Sequence, residues 1–422
     1  MAHRDDAAGA GGAMTGMILH VCQSDRIGGA AVAARRLIMA QRAHGIDAHM
    51  LVGRKQGTDD WVHPIEGTGL QASVRIRRFV MKRALRLLSA QANGAMQTLG
   101  AGPRGMKRAI ADLDPSLVHF HWLGGEMTDL AEMRLTRWPV VWTCHDQWVF
   151  CGAEHYAADE GYRTGYAERR AFDPDRFNLN RKRRTWKGWK PHLIGPSSWM
   201  TRTARESVIA RDWDTTTIPN TLDTDLFSPM EREQARAEFG LPADKRVILF
   251  GAQGGDRDPR KGFDLLAGAL SSFTRREREG AVLIAFGGDA AEGGELSGIP
   301  FRCVGTVTRE DTLARLYNAA DIFAAPSRQD NLPNTMLEAQ SCGTPCAAFD
   351  VGGMSDIIAQ PWHGTVVPAF DTAAFARALL QQGGREARDR TRQDALSRYS
   401  NARIAGLHAW LYEQVIEEHH RD

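Results

Sequence analysis

Short apolar runs alternate with segments of helical period along most of the chain. "MILHVC" (17–22) is followed by the turn "QSDRIGGA" and then by "AVAARRLIMAQRAHG", where apolar residues return at helical spacing. That order reads as strand, glycine loop, helix. "SLVHFHW" (116–122), "PVVWTCHD" (139–146), "HLIGPSS" (192–198) and "TTTIPN" (215–220) predict further buried strands. A second series starts after "IPNTLDTDLFSP" (218–229), with "RVILFGAQ", "AVLIAFGG", "FRCVGTV", "DIFAAPS" and "TPCAAFD" as its strands. Near-continuous apolar strands separated by helices predict parallel sheets covered on both faces. The expectation is an α/β protein of two Rossmann-like, doubly wound parallel-sheet domains facing across a cleft, spanning 14–222 and 223–400. The last segment, 401–422, predicts an amphipathic helix capped by Ser400 or Asn401. Its apolar set Ile404, Leu407, Trp410, Leu411 and Val415 needs a surface, and the N-terminal domain is the one expected.

Composition narrows this picture only a little. A chain of 422 residues suggests about two domains. With 43% hydrophobic and 25% charged residues it has the make-up of a globular protein, and a net charge of +2 gives no global field for nucleic acid. The six cysteines form no CxxC pair, which argues against a zinc ribbon or a redox dithiol and fits a reducing cytoplasm. No run approaches the roughly 18 to 20 apolar residues of a membrane span. Residues 1–13 are polar and rich in Gly and Ala, which predicts a disordered leader rather than a signal peptide.

Candidate chemistry gathers in the loops after strands, where open α/β sheets bind ligands. Gly28 and Gly29 separate the first strand from the first helix, so backbone can approach an anion at the helix N-terminus. The loop is not GxGxxG, and "GAQGGDRDPRKGFDLL" is not a Walker A loop, so neither a dehydrogenase nor a P-loop enzyme is indicated. Lys261 sits near a helix start, a suitable place for a cation to meet phosphate. His145 falls at the C-terminal end of one predicted strand, and His119 and His121 end an earlier one the same way. The densest stretch is "PSRQDNLPNTMLEAQSCGTPCAAFDVGG" (326–353). It predicts a loop carrying Asp330, then a helix capped by Asn331 or Asn334 with Glu338 about one turn in. Amides at such a helix start bind phosphate or hydroxyl oxygens, and carboxylates accept from sugar hydroxyls.

Five separated motifs, "IGGAAVAARRL", "TCHDQWVFCGAEHY", "IPNTLDTDLF", "DPRKGFDLL" and "DNLPNTMLEAQSCGTPCAAFDVGG", resemble those of retaining GT-B glycosyltransferases of the family-4 type (glycosyl transferases group 1). The likeness extends to bacterial exopolysaccharide, colanic-acid-like enzymes, from about residue 17 to 415. The family's E-x7-E element aligns with Asp330 and Glu338. The resemblance implies a donor site in which Glu338 binds the nucleotide's ribose and Asp330 lies near the sugar. Lys261 binds the leaving diphosphate and His145 contacts the sugar, which makes His145, Lys261 and Asp330 the catalytic candidates. Gly28, Gly29, Arg260, Asn331, Leu332, Pro333 and Asn334 complete the donor-binding set. The family's first acid is usually Glu, and its basic residue five before the lysine is Asp256 here, with Arg257 or Arg260 as substitutes. The cysteines that relatives carry after the "HY" motif are absent, and no Asp-x-Asp metal motif stands at a strand end.

What the resemblance implies is a metal-independent transferase, without cofactor, that takes a UDP- or GDP-sugar to a glycan or lipid-linked acceptor in polysaccharide synthesis. The alternative is a nucleotide-sugar-binding regulator on the same fold, kept open by Asp330 and Asp256. Two basic runs bear on the acceptor. Residues 75–86, "RIRRFVMKRALR", hold six Lys/Arg and no acid, as an interfacial helix on anionic lipid does; a solvated helix fits equally. Residues 161–190 hold ten Lys/Arg against three acids, as a ring around a lipid diphosphate or a plain surface loop. The expected location is the cytoplasm, at the inner face of the membrane if the first run binds lipid. Neither run belongs to a nucleic-acid reader motif.

Overall fold

The structure is a computed structural model. It describes residues 16–65, 96–170, 173–251, 258–289, 291–381 and 383–421. The leader 1–13, the basic run 75–86, Asp256 and Arg257 lie outside the described residues.

The chain divides into two compact units, Met1–Pro219 with Ile404–Asp422, and Asn220–Arg403. The first holds a seven-stranded parallel sheet in the order β3-β2-β1-β4-β5-β6-β7. Its strands are β1 (Ile18–Ser24), β2 (Ala48–Arg54), β3 (Val62–Pro64), β4 (Leu117–Phe120), β5 (Val140–Thr143), β6 (His192–Gly195) and β7 (Thr215–Thr217). Successive side chains of β1 enter opposite cores: Leu19 and Val21 one, Ile18 and Cys22 the other. That two-sided burial is why the strand reads as unbroken apolar sequence. β2 and β3 escape the sequence reading because "AHMLVGR" and "VHP" are short or interrupted by polar residues.

The closing helix, Asn401–Arg421, belongs to this first unit from Ile404 onward. Ile404, Leu411, Tyr412 and Val415 join the core formed by β1, β2 and the first helix, Gly29–Ala43. Trp410, counted with that face in the sequence, is exposed instead, being one helical position from Leu411.

The second unit has the strand order β10-β11-β9-β8-β12-β13-β14. β8 is Arg246–Gly251, β9 Ala281–Phe286, β10 Ala291–Leu296, β11 Ile299–Cys303, β12 Ile322–Ala325, β13 Cys346–Phe349 and β14 Gly364–Val367. All neighbours pair in parallel except β10, an edge strand antiparallel to β11 across a Ser297–Gly298 turn. Both turn residues have positive φ (54° and 76°), which such tight hairpins require. Two apolar clusters cover the faces of this sheet. Among the described residues, no helix is long and apolar enough to cross a membrane.

Candidate active site

Chain order reverses between β8 and β12 in the second sheet, the kind of position at which open α/β sheets bind ligands. Asp258–Gly262 follows β8 at this point, and Pro326–Pro333 follows β12. Two glycines draw the backbones together. Gly262 has φ 69°, and a Cβ there would stand 1.9 Å from the Pro326 carbonyl oxygen. Gly352, beyond β13, has φ 58°, and a Cβ would stand 1.8 Å from the Asp330 carbonyl oxygen. Any side chain at either position would push the loops apart.

The close approach makes an ion pair. Lys261 Nζ lies 2.6 Å from Asp330 Oδ2, and Arg260 Nη1 lies 3.5 Å from the same oxygen. Asp330 Oδ1 accepts the Asn331 N–H at 3.0 Å. Burial pushes the Asp330 carboxyl up, but the Lys261 and Arg260 charges outweigh it and hold it below the usual carboxylate range. Arg260 also pairs with Asp258 at 3.0 Å and donates to the Gln329 carbonyl at 3.1 Å. Lys261, Arg260 and Asp330 are thus brought together.

The helix Asn334–Ser341 starts after Pro333, which occupies the cap position with φ −65°. No side chain caps it, contrary to the expectation for Asn331 or Asn334. The Asn334 side-chain oxygen instead accepts from Asn220 Nδ2 at 2.9 Å, and Asn331 is buried in the preceding loop. Leu332 is buried as well, its carbonyl accepting from Asn220 at 3.4 Å. Glu338 is buried one turn in, and its Oε2 accepts from the Tyr317 hydroxyl at 2.6 Å. Tyr317, absent from the sequence reading, lies 21 positions from Glu338, and Asn220, quoted only within "IPNTLDTDLF" and given no role, lies 114 from Asn334.

The first sheet reverses between β1 and β4. Gly28 caps the first helix with φ 101°, which favours glycine; Gly29 begins it with nothing within 4 Å of a built Cβ. The helix therefore needs glycine at 28 but not, for its own sake, at 29. His145 lies two residues beyond β5, half-buried, its Nε2 3.0 Å from His121 Nδ1. Burial pushes its pKa down to about 4 against a smaller pull from Asp146. Asp146 faces elsewhere, accepting from Trp122 Nε1 at 2.7 Å and lying 2.6 Å from His155 Nδ1. His119 is not a strand-end group. It sits inside β4, paired in register with His20 of β1, and is fully buried.

The basic run 161–190 is divided between core and surface: Arg183, Arg184, Lys187 and Lys190 are exposed, whereas Lys182 and the tryptophans are buried. Trp186 and Trp189 are buried against Trp142, Trp148 and Trp213. The Lys182 ammonium is buried over the Trp148 ring and donates to the carbonyls of Trp148, Cys151 (3.0 Å) and Gly152 (2.9 Å). Burial pushes its pKa down to about 7, and its N–H donors tie together the turn from Trp148 to Gly152. Arg169 likewise pairs with Asp175 at 2.6 Å.

A family model described as Glycosyltransferase Family 4 matches residues 27–226, and one described as Glycosyl transferases group 1 matches residues 245–382. Sucrose-phosphate synthase from Thermosynechococcus elongatus superimposes with a TM-score of 0.65, covering 95% of this chain and 99% of that one at 18% identity. The fold is GT-B. Anabaena HepE, solved in complex with UDP-glucose, shares the GT-B fold with a TM-score of 0.60 at 14% identity, covering 96% of this chain and 99% of that one. In sequence, the chain is 31% identical over 301 residues to the D-inositol 3-phosphate glycosyltransferase of Mycobacteroides abscessus, 65% of this chain and 60% of that protein. It is 33% identical over 196 residues to the enzyme of the same name from Saccharomonospora viridis, 40% of this chain and 45% of that protein. The matches therefore span about half of these relatives' lengths. In this GT-B chain the first family match begins just after β1 and runs through β7, and the second lies across β8–β14.

Proposed function

We propose that the chain is a retaining glycosyltransferase. It moves a sugar from a UDP- or GDP-sugar to a glycan or lipid-linked acceptor in polysaccharide synthesis, with no metal ion. The observation that carries this reading is the Lys261–Asp330 pair, 2.6 Å apart at the carboxyl ends of adjacent strands, with buried Glu338 on the next helix. A cation held by a carboxylate is pre-organised for a diphosphate, which replaces the carboxylate as the stronger partner at no cost in ordering the lysine. Glu338 accepts from ribose hydroxyls, and Asp330 stands by the sugar.

In the reaction, the bond between the sugar's anomeric carbon and the diphosphate oxygen breaks. The acceptor hydroxyl attacks from the same face, and its proton passes to the departing diphosphate. Lys261, Arg260 and the amides of residues 331–334 stabilise the negative charge that grows there. Asp330 stabilises the positive charge developing on the sugar ring. The family resemblance makes His145 and the Gly28–Gly29 turn the first unit's candidate substrate groups.

The name shared by the sequence relatives favours a second acceptor reading, a phosphorylated cyclitol such as D-inositol 3-phosphate. The test is a transfer assay. Nucleotides and nucleotide-sugars are first screened by thermal shift, since a ligand stabilises the fold it binds. The stabilising donor is then offered to lipid-diphosphate glycans and to inositol phosphate. Turnover with retained anomeric configuration, unaffected by EDTA, is expected. Donor binding with no transfer to water or to any acceptor would favour the regulator instead. The run 75–86 is assigned to an anionic membrane surface. Sedimentation with anionic but not neutral vesicles, weakened by salt, is the expected result.

A further inference from the structure

A cleft of about 380 Å³ opens in the first unit at the amino ends of β6 and β7. His192 is the first residue of β6 and Thr215 the first of β7, and Trp213 and Asp214 lead into β7. Arg205 reaches the cleft from the helix after β6, Ser198–Glu206, and Arg211 from the segment that follows it. Glu418 comes from the end of the closing helix. β5, β6 and β7 are parallel, so His145, beyond the carboxyl end of β5, lies at the opposite edge of the sheet. The four residues of β6 alone span about 13 Å at roughly 3.3 Å per residue. The cleft is therefore separate from the candidate groups described for this unit.

Part of its lining is fixed before any ligand arrives. The Trp213 ring belongs to the buried tryptophan cluster, with the rings of Trp186 and Trp189 each 6.4 Å away. His192 Nε2 lies 2.8 Å from Thr216 Oγ1. Arg205 donates to the Thr215 hydroxyl and, at 2.9 Å, to the Thr215 carbonyl. Groups held in this way lose little freedom when they bind. Much hydrogen-bonding capacity is left over. Among the described residues, the Trp213 indole N–H, His192 Nδ1, Arg205 Nη1 and the Arg211 guanidinium have no partner, and the Asp214 and Glu418 carboxylates accept no hydrogen bond. Trp213 is only 8% exposed, yet its N–H is not sealed from solvent.

Charge decides which ligand fits. The two guanidinia are matched by two carboxylates. Burial pushes the His192 pKa down against a smaller pull from Asp214, so this imidazole is neutral at pH 7. The lining thus carries no net charge. A phosphate would meet Asp214 and Glu418, and an organic cation would meet Arg205 and Arg211. An uncharged polyol uses both sets, because each hydroxyl both donates and accepts. The planar guanidinium fork also spans two neighbouring oxygens. The volume falls within the roughly 300 to 1,000 Å³ of small-molecule sites.

We propose that this cleft is a second carbohydrate site, which binds a short uncharged glycan segment away from the transfer chemistry. The site does not depend on the glycosyltransferase reading; that reading supplies only its use, keeping a glycan chain on the protein between transfers. The experiment is calorimetric titration of the full-length protein, without donor, with maltose, cellobiose, lactose and inorganic phosphate. At least one disaccharide should bind saturably, and phosphate should not. Arg211→Ala and Asp214→Ala, both at exposed positions, should keep the melting temperature. Each should weaken disaccharide binding about tenfold to a hundredfold, the effect of one lost charged hydrogen bond. Binding of no disaccharide, preference for phosphate, or wild-type affinity in either variant would overturn the proposal. Absence of any sugar transfer by wild type would sink the proposed function and leave this binding result standing.

Discussion

Both sheets reverse direction between two adjacent strands, β1 and β4 in one unit and β8 and β12 in the other. In both, the polar side chains collect at or beyond those strands, yet the chemistry differs. Beyond β8 and β12 stand formal charges, Lys261 and Arg260 around Asp330, whose carboxyl they hold ionised. Around β1 and β4 burial drives the charge out, and His20, His119, His121 and His145 stay neutral. A paired charge can be re-paired with phosphate, whereas a chain of neutral groups can only present a donor or an acceptor. The second site therefore suits an anion and the first a hydroxyl. The two chemistries should respond differently to substitution and to acid.

The largest effect is expected at Lys261. Lys261→Ala should lower kcat/KM about a hundredfold to a thousandfold, the usual result of deleting one group that stabilises developing charge. It also leaves Asp330, whose side chain is 10% exposed, with Arg260 alone, and breaking a buried pair costs about 3 to 5 kcal/mol. The double variant Lys261→Met/Asp330→Asn removes both charges and should recover most of the melting temperature but none of the turnover. Recovery of both would show that the pair serves the fold only.

Next come the two acids. Asp330→Asn should lower kcat roughly tenfold to a hundredfold with little change in donor KM, since the charge acts on the transition state. Glu338→Ala should raise donor KM by a similar factor, the worth of a charged hydrogen bond of about 1.5 to 3 kcal/mol. Tyr317→Phe, which removes one donor to Glu338, should shift KM less. Steady-state kinetics separates them, and identical patterns for both acids would erase the distinction between sugar and ribose roles.

Acid sharpens the contrast between the units. His20 at about 3, and His145 and His408 at about 4, lie below the roughly 6.5 of an unfolded chain. Unfolding therefore takes up protons, so stability present above about pH 6.5 is lost as pH falls toward 4, by about 1.4 kcal/mol per pH unit per proton. Asp330 is also depressed, but from a carboxylate value, so its contribution survives until about pH 4 and is lost below it. Of the 11 tryptophans only Trp362 belongs to the second unit, so tryptophan fluorescence reports the first. The urea midpoint read by fluorescence should fall further between pH 6.5 and 4.5 than the part of the far-UV circular dichroism transition that fluorescence misses, where burial holds down a single histidine, His363. Parallel shifts would contradict the contrast.

The smallest effect concerns the glycine turn. Gly29→Ala meets nothing within 4 Å and occupies a helical position, so it should stabilise by up to about 1 kcal/mol. Gly28→Ala, at φ 101°, should destabilise by roughly 1 to 2 kcal/mol. If the turn borders phosphate, Gly29→Ala should nonetheless weaken nucleotide-sugar binding. Thermal melts with and without the donor show which.

Much of this was legible in the sequence because it is local. Apolar strand runs, glycine loops and the 330–338 spacing need only neighbouring residues. The parts that were missed join distant ones. Gln41 and Tyr412 meet across 371 positions. The one local hint was His20, a polar residue within the buried strand "MILHVC". In the basic run 161–190, charge counts cannot show that Lys182 alone turns inward onto three carbonyls. The cap at Asn334 failed because its side chain is taken by Asn220, 114 positions away.

The central claim is that Lys261 and Glu338 hold different parts of one nucleotide donor. Calorimetric titration tests it most directly, comparing a nucleoside diphosphate with its nucleoside, uridine or guanosine, whichever diphosphate raises the melting temperature. Lys261→Ala should weaken the diphosphate at least tenfold and leave the nucleoside within about twofold, whereas Glu338→Ala should weaken both. Wild-type affinity of Lys261→Ala for the diphosphate would contradict the account.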